Sequence, residues 1–344
     1  MQEKLKIMVL TEEDSLKVFR MTSERVAAAL ARFPEFRDKV EISITRTTTS
    51  FENDPSWNAA DYEKFRRDIA SADILIGYMF PLEEIVATAP RLRWIHIIGA
   101  GIEHLLPLDW LPEDVILTNN RGAHAPKTCE YVMMALLMLA NHMPRLVCAQ
   151  QKHQWDGHFV SVIRGSKAAI LGAGKQGSAA ALAAKRLGLS TVGVDIDTAA
   201  RENFDEVVPP ARLNETLGAA DYVVVTLPST KETFRFIGEK EFAAMKEGAG
   251  FVNISRGRIV DTEALIASLK SGHLSGAVLD VFEQEPLPAE SPLWSTPNLI
   301  MSPHMGCDDE ENYIHRTFDI VFENLRRVEA GETMENIVDR KKGY

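Results

Sequence analysis

Along the first third of the chain, short apolar runs alternate with charged, amphipathic stretches. The runs at 5–10, 40–46, 73–77 and 92–98 are rich in Val, Ile and Leu and read as buried strands. Helical spacing appears between and after them, at 23–33, 61–70 and 81–89. Ser23 is placed to cap the first helix and Pro34 to close it. This alternation predicts a parallel sheet flanked by helices. A long apolar helix is then expected at 128–143. Its methionines Met133, Met134, Met138 and Met143 are expected to fill a core, the helix being buried on several sides.

A second alternating run begins at Ser166. Strands are expected at 167–171, 191–195, 222–227, 250–254, 276–280 and 298–301, with helices at 177–187, 211–219, 238–244 and 261–268. Six strands with intervening helices make a complete doubly wound sheet of the dinucleotide-binding kind. A last helix, 308–329, follows the sixth strand and is expected to cross back to the first domain. The fold class is therefore α/β with two doubly wound domains. A domain at 123–304 is inserted into a discontinuous one at 1–122 and 305–344. No repeat of 20–50 residues and no low-complexity linker interrupts this plan.

Composition narrows the function classes. Of 344 residues, 45% are hydrophobic and 25% charged, as in an average soluble protein. The net charge of -11 argues against a nucleic-acid partner, whose phosphates need Lys and Arg. Cys129, Cys148 and Cys307 have no metal-ligand spacing and are expected as reduced thiols. The longest apolar stretch, 131–140, is about half the ~20 residues a membrane span needs. No membrane partner is expected, and the chain is expected in the cytoplasm.

The candidate chemistry sits at strand ends. Gly172-Ala173-Gly174-Lys175-Gln176-Gly177 follows the run KAAIL and opens the Ala-rich helix. In that context the spacing points to a dinucleotide: Gly172 for the tight turn, Gly174 for backbone approach to a pyrophosphate, Gly177 for helix–strand packing. The helix N-terminus adds free N–H groups. A plain βα turn is the bland alternative. Asp195 ends the next strand, where an acid accepts from ribose hydroxyls and repels a 2′-phosphate. NAD is thus favoured over NADP, though Arg201 stands a little further on. Thr226, Leu227 and Pro228 end the strand on the nicotinamide side. Arg256 closes Asn253-Ile254-Ser255-Arg256-Gly257, and its planar fork suits a carboxylate. Asp280 and Glu285 follow the next strand and His304 the last. An Arg, two acids and a His at neighbouring strand ends are hard to ascribe to packing alone.

Taken together, GAGKQG with Asp195, NISRG, LDVFEQEPLP and SPHMG resemble the D-isomer-specific 2-hydroxyacid dehydrogenase family in order and spacing. IIGAGIEHL resembles its substrate loop, and TNNRGAHAPKTCEYVMMALLML its segment entering the long helix. The resemblance implies a Rossmann NAD-binding domain inserted into a flavodoxin-like substrate domain, and a homodimer formed through the nucleotide domain and the helix near Met133. It implies His304 as general acid/base, Glu285 as its partner, and Arg256 on the substrate carboxylate and carbonyl. Backbone N–H groups of Ala100 and Gly101 would also hold the carboxylate. Thr128, Lys175, Gln176, Ile254, Ser255, Asp280 and Gly306 would contact the cofactor, beside the residues already named. The implied reaction is hydride transfer between NAD(H) and C2 of a small D-2-hydroxy acid or 2-keto acid, with the domains closing over it. The chain departs from the family pattern at Cys307-Asp308-Asp309-Glu310, which is unusually acidic, and at Ala125–Glu130. Related formate enzymes carry Gln where Glu285 stands. A phosphite-type dehydrogenase and a non-enzymatic, corepressor-like NADH sensor are the alternatives. Tyr78, Met79, Phe80, Pro81, Trp155 and Trp294 are read as packing residues.

Overall fold

The computed structural model describes residues 3–48 and 57–344. Two compact units are present, Met1–Ala123 with Asp309–Tyr344, and His124–Asp308. They part after Ala123 and Asp308, where the sequence places the divisions after 122 and 304.

The first unit runs β1 (Leu5–Glu12), α1 (Ser23–Ala31), β2 (Val40–Thr47), α2 (Ala59–Ile69), β3 (Ile74–Gly77), α3 (Leu82–Thr88), β4 (Trp94–Ile97) and β5 (Ile116–Asn119). The strands pair in parallel in the order β2-β1-β3-β4-β5, the flavodoxin-like winding. Alternation along β1 serves two helix layers. Ile7 and Val9 join one core cluster, Met8 and Leu10 the other. The final helix, Tyr313–Glu329, belongs to this unit. It buries Tyr313, Ile314, Thr317, Phe318, Val321, Phe322 and Leu325, a stripe with spacings of one, three and four. Phe322 stacks on Phe33 and Phe36 with ring centroids 4.9 and 5.6 Å apart. Two local readings change. Thr22, not Ser23, caps α1, its hydroxyl accepting from the Arg25 N–H at 3.3 Å. β5 is a strand that the sequence pattern does not signal, because ILTN carries only two apolar residues and runs into Asn120 and Arg121.

The second unit runs α4 (Ala125–Ala140), α5 (Met143–Gln151), β6 (Lys167–Leu171), α6 (Lys175–Arg186), β7 (Ser190–Val194), β8 (Glu206–Val208), α7 (Leu213–Ala219), β9 (Tyr222–Val225), α8 (Glu239–Ala244), β10 (Ala249–Asn253), α9 (Thr262–Ser271), β11 (Leu274–Leu279) and β12 (Leu299–Met301). The long helix starts three residues earlier than the pattern suggests, with Pro126 in its first turn. It ends at Ala140, and α5 departs from it at 64°. His142 at the break is left-handed (φ 52°), and Pro144 sits in the first turn of α5. The methionine reading is corrected here. The buried face of α4 is Tyr131, Val132, Ala135, Leu136 and Leu139, while Met134 and Leu137 are exposed, as is Met143. Met133 packs against the core and Met138 is half-buried, so the expectation fails for Met134 and Met143 only, because helical phase, not apolarity, decides what is covered. Trp155 and Trp294 are likewise exposed rather than packed, whereas Phe80 is buried.

This unit's sheet has seven strands, in the order β12-β11-β10-β9-β6-β7-β8, every pair parallel. The seventh, β8, is a three-residue edge strand that the pattern misses. Because all strands run the same way, all their carboxyl ends open on one edge. From β6 the chain winds outward through β7 and β8, then returns to β9 on β6's other side. The β6/β9 boundary is thus the switch point at which such sheets leave a crevice for ligands.

Candidate active site

At the switch point, Gly172 has φ of +97°, a conformation few other residues adopt. A Cβ on Gly177 would lie 1.9 Å from the Gly172 carbonyl oxygen, so helix and turn can pack only without it. Over Gly174, by contrast, an added Cβ meets nothing within 4 Å. That open space lies at the N-cap of α6, whose first N–H groups have no side-chain cap. A pyrophosphate fits there. The turn is braced from both sides. The Thr226 hydroxyl donates to the Leu171 and Gly172 carbonyls at 3.0 and 2.8 Å. Asp195, just past β7, accepts from the Ala173 N–H at 2.7 Å and from the Asp197 N–H at 3.0 Å. Arg201 is paired with Asp197 at 2.8 Å. Gln176 donates to the Ile254 carbonyl at 3.1 Å, joining the turn to the end of β10. Burial pushes the Cys307 thiol up to about 12, against a hydrogen bond from Gln176 Nε2 at 3.7 Å. Gln176 thus reaches both Ile254 and Cys307. Leu227 and Pro228 follow β9, and Ile254 and Ser255 follow β10, on the same edge.

The other half of the edge is built by β10, β11 and β12, three neighbours in the sheet. Their loops carry Arg256, Asp280 with Glu285, and His304. Gly257 lets two of these loops meet, since a Cβ there would sit 1.8 Å from the Phe282 carbonyl carbon. Arg256 directs one guanidinium nitrogen to the Ser255 carbonyl at 2.8 Å. Glu285 accepts from the Phe282 N–H at 2.8 Å through Oε1, and its Oε2 meets His304 Nδ1 at 2.6 Å. His304 itself is left-handed (φ 50°). Its N–H donates to the Asp280 carbonyl at 2.8 Å. The Asp280 carboxylate accepts from Met305 N–H at 3.1 Å, from Gly306 N–H at 3.0 Å and from the Ser302 hydroxyl at 2.6 Å.

The charges follow from these contacts. The Glu285 hydrogen bond raises His304 above the ordinary imidazole value, with burial and Arg256 pulling the other way. Burial would raise Glu285, but His304, the Phe282 amide and Arg256 outweigh it and leave it below the ordinary carboxylate value. Burial raises Asp280 despite its three kinds of donor. With Nδ1 engaged by Glu285, Nε2 is the nitrogen left to exchange a proton with a ligand. An Arg fork beside such a His–Glu pair can bind an oxyanion and give or take a proton.

A model of the "D-isomer specific 2-hydroxyacid dehydrogenase, NAD binding domain" matches residues 133–306. The chain belongs to the D-isomer specific 2-hydroxyacid dehydrogenase family. A glyoxylate reductase of Korarchaeum cryptofilum is 30% identical over 79% of this chain and 84% of its own. A family member from Xanthobacter autotrophicus Py2, solved with NADPH and MES, superposes with a TM-score of 0.80. It is 29% identical, over 98% of this chain and 99% of that one. An NADPH-dependent glyoxylate/hydroxypyruvate reductase from Sinorhizobium meliloti, solved with NADP and sulfate, gives 0.76 at 27% identity, over 98% and 100%. Membership establishes an NAD(P)-dependent oxidoreductase of 2-hydroxy and 2-keto acids on two parallel α/β sheets.

Ala100 and Gly101 lie in the first unit, after β4. Two residues to which the sequence reading gives no role hold their loop. The Asn119 amide donates to the Ala100 carbonyl at 2.8 Å. The Asn120 amide donates to Ile98 at 2.9 Å, and its N–H to Gly99 at 3.0 Å. Each of these carbonyls is thus engaged by Asn119 or Asn120, and across each trans peptide the following N–H, of Gly99, Ala100 or Gly101, points away from that contact. Tyr131 and Ser302 are the other omissions. Both sit inside quoted motifs, yet nothing in their spacing shows that they touch, since 171 residues separate them.

Proposed function

We propose that this family member transfers hydride between NAD(H) and C2 of a small D-2-hydroxy acid or 2-keto acid. The observation that carries the proposal is the His304–Glu285 bond beside Arg256, at three adjacent strand ends. When bound, the nicotinamide supplies the hydride for reduction of a keto acid or takes it from a hydroxy acid. His304, protonated and held by Glu285, gives its Nε2 proton to the alkoxide oxygen forming at C2. Neutral His304 takes that proton back in the oxidation. Arg256 binds the carboxylate and steadies the oxyanion. The N–H groups of Ala100 and Gly101 are further proposed donors to the carboxylate.

NAD is proposed as the preferred cofactor. Asp195 would accept from the ribose hydroxyls and repel a 2′-phosphate, and Arg201, tied to Asp197, is partly neutralised. Thr128, Gly172, Gly174, Lys175, Gln176, Gly177, Thr226, Leu227, Pro228, Ile254, Ser255, Asp280 and Gly306 are proposed to contact it. A homodimer is proposed through the second unit. The motivating observation is that Met134, Leu137 and Met143 on α4 and α5, with Trp155, Phe159 and Val162 just after them, are exposed apolar side chains. Charged replacement of Leu137, Leu137→Glu, should then halve the mass seen by light scattering. Cytoplasmic residence is part of the proposal and accords with three free thiols.

The test is oxidation of NADH and of NADPH with glyoxylate, hydroxypyruvate, pyruvate, oxaloacetate and phenylpyruvate. Turnover with one or more, faster with NADH, is expected. NADH binding without turnover on any of them would sink the reaction class and leave the phosphite or nucleotide-sensing reading.

A further inference from the structure

Beside the His304 loop, a polar chain runs from α4 through Ser302, the residue after β12, to Asp280. The Tyr131 hydroxyl lies 2.6 Å from Ser302 Oγ, which lies 2.6 Å from Asp280 Oδ1. Asp280 is 2% exposed and Tyr131 is 7% exposed. Ser302, between them, is partly buried, so the chain is anchored at both ends in places where a lost hydrogen bond is costly. The Tyr131 ring also lies against Gly306, where an added Cβ would sit 2.4 Å from a ring carbon. Tyr131 therefore touches both ends of the segment 302–306 that carries His304.

The directions of these bonds can be worked out. An ionised Asp280 only accepts. Ser302 has one proton, and it goes to Asp280. Ser302 Oγ must then accept from Tyr131, so both hydroxyls point toward the carboxylate. Asp280 collects this chain together with the N–H groups of Met305 and Gly306. Its backbone carbonyl takes the N–H of His304 at 2.8 Å. One carboxylate residue thus fixes the backbone on both sides of a histidine whose φ of 50° is otherwise disfavoured. The Tyr131–Ser302 pair in turn sets where that carboxylate sits.

We infer that Tyr131 and Ser302 are positioning residues: through Asp280 they hold the loop that aims His304 at the reacting oxygen. The inference rests on the reading of His304 as the acid–base group. Neither side chain touches substrate, so neither is a catalytic residue. A misaimed base lowers the rate of proton transfer more than it weakens binding. The expected signature is therefore a loss in kcat with little change in KM for the keto acid.

The experiment compares Tyr131→Phe, Ser302→Ala, their double variant and Ser302→Thr with the full-length wild type. It measures steady-state reduction of whichever keto acid is turned over, and NADH binding by fluorescence. Tyr131→Phe deletes one oxygen atom and leaves the ring on Gly306. It and Ser302→Ala should each lower kcat about five- to twentyfold, with the keto-acid KM within about twofold. The double variant should be scarcely worse than Ser302→Ala, since either change cuts the same chain. Ser302→Thr keeps the hydroxyl and should recover most of the rate. Wild-type kcat in Tyr131→Phe, or losses that multiply in the double variant, would overturn the inference. So would a Ser302→Thr no better than Ser302→Ala. If Ser302→Ala fails to fold, Tyr131→Phe and Ser302→Thr still decide it. His304→Ala keeps the two levels apart. Should it retain turnover, the acid–base reading fails. Should it be inactive while Tyr131→Phe is silent, only the positioning role fails.

Discussion

Replacing Glu285 by Gln separates charge from geometry at the proposed acid–base site. The amide oxygen of Gln can still accept from His304 Nδ1, so the ring keeps its orientation while the negative charge is lost. At 2.6 Å the native contact is a charge-assisted hydrogen bond. Buried bonds of that kind contribute about 1.5–3 kcal/mol. The two side chains here are 46% and 33% exposed, so solvent screening brings the figure nearer 1–1.4 kcal/mol. That corresponds to a factor of roughly five to ten. The sign follows from what remains. Without Glu285, burial and Arg256 lower the His304 pKa, opposed only by the smaller pull of Asp280. Reduction needs the protonated ring, so its falling limb should move to lower pH. Oxidation needs the neutral ring, so its rising limb should move the same way. The assay is kcat/KM in both directions from about pH 5 to 9. Reduction by Glu285→Gln should fall about five- to tenfold on the alkaline side and little on the acid side. A loss equal at every pH, with both limbs in place, would refute the electrostatic reasoning and leave Glu285 an orienting role only. Stability obeys the same linkage. His304 contributes fully below its ordinary 6.5 and loses this as pH rises through its raised folded value. Glu285 contributes above its ordinary 4.5 and loses this as pH falls through its lowered folded value. The pair therefore stabilises the fold most between those two pH values.

Arg256→Ala should lower kcat/KM by on the order of 10²–10³ while NADH Kd, read by fluorescence, changes little; near-normal turnover would remove Arg256 from the mechanism. Asp195→Ala should narrow the preference for NADH over NADPH about tenfold. It should also weaken NADH binding somewhat, because the same carboxylate holds the Ala173 N–H; an unchanged ratio of the two kcat/KM values would speak against ribose recognition. Phe322→Ala removes a fully buried ring stacked between two others and should cost about 3–5 kcal/mol in chemical unfolding; a loss under about 1 kcal/mol would mean that the final helix packs less tightly than its stripe indicates.

Several elements were legible because one local rule decides each. GAGKQG declares a strand–turn–helix, since Gly172 needs its positive φ and Gly177 has no room for a Cβ. The run of buried positions from Tyr313 to Leu325 declares a helix with one wet face. Strands β5 and β8 go unsignalled because ILTN and EVV each carry only two apolar residues between acidic flanks and Asn or Pro. Met134 and Met143 misled for a different reason. Periodicity says which residues share a face, but not which face the fold covers, and Ala135 and Leu136 took the inner one.

The same distinction governs the site. The strand-end residues proposed to act, Arg256, Glu285 and His304, can be found from sequence because parallel strands must end on a common edge. Tyr131 and Ser302 cannot be found this way. One lies inside a helix and the other inside a motif remembered for its histidine, and only the packing of α4 against the sheet joins them. Residues that hold a catalytic group, rather than act on the substrate, need no special position in the chain. They need only be where the buried polar chain passes. That chain consists of neighbours in space that no sequence spacing specifies, which is why aim is harder to read from a sequence than chemistry.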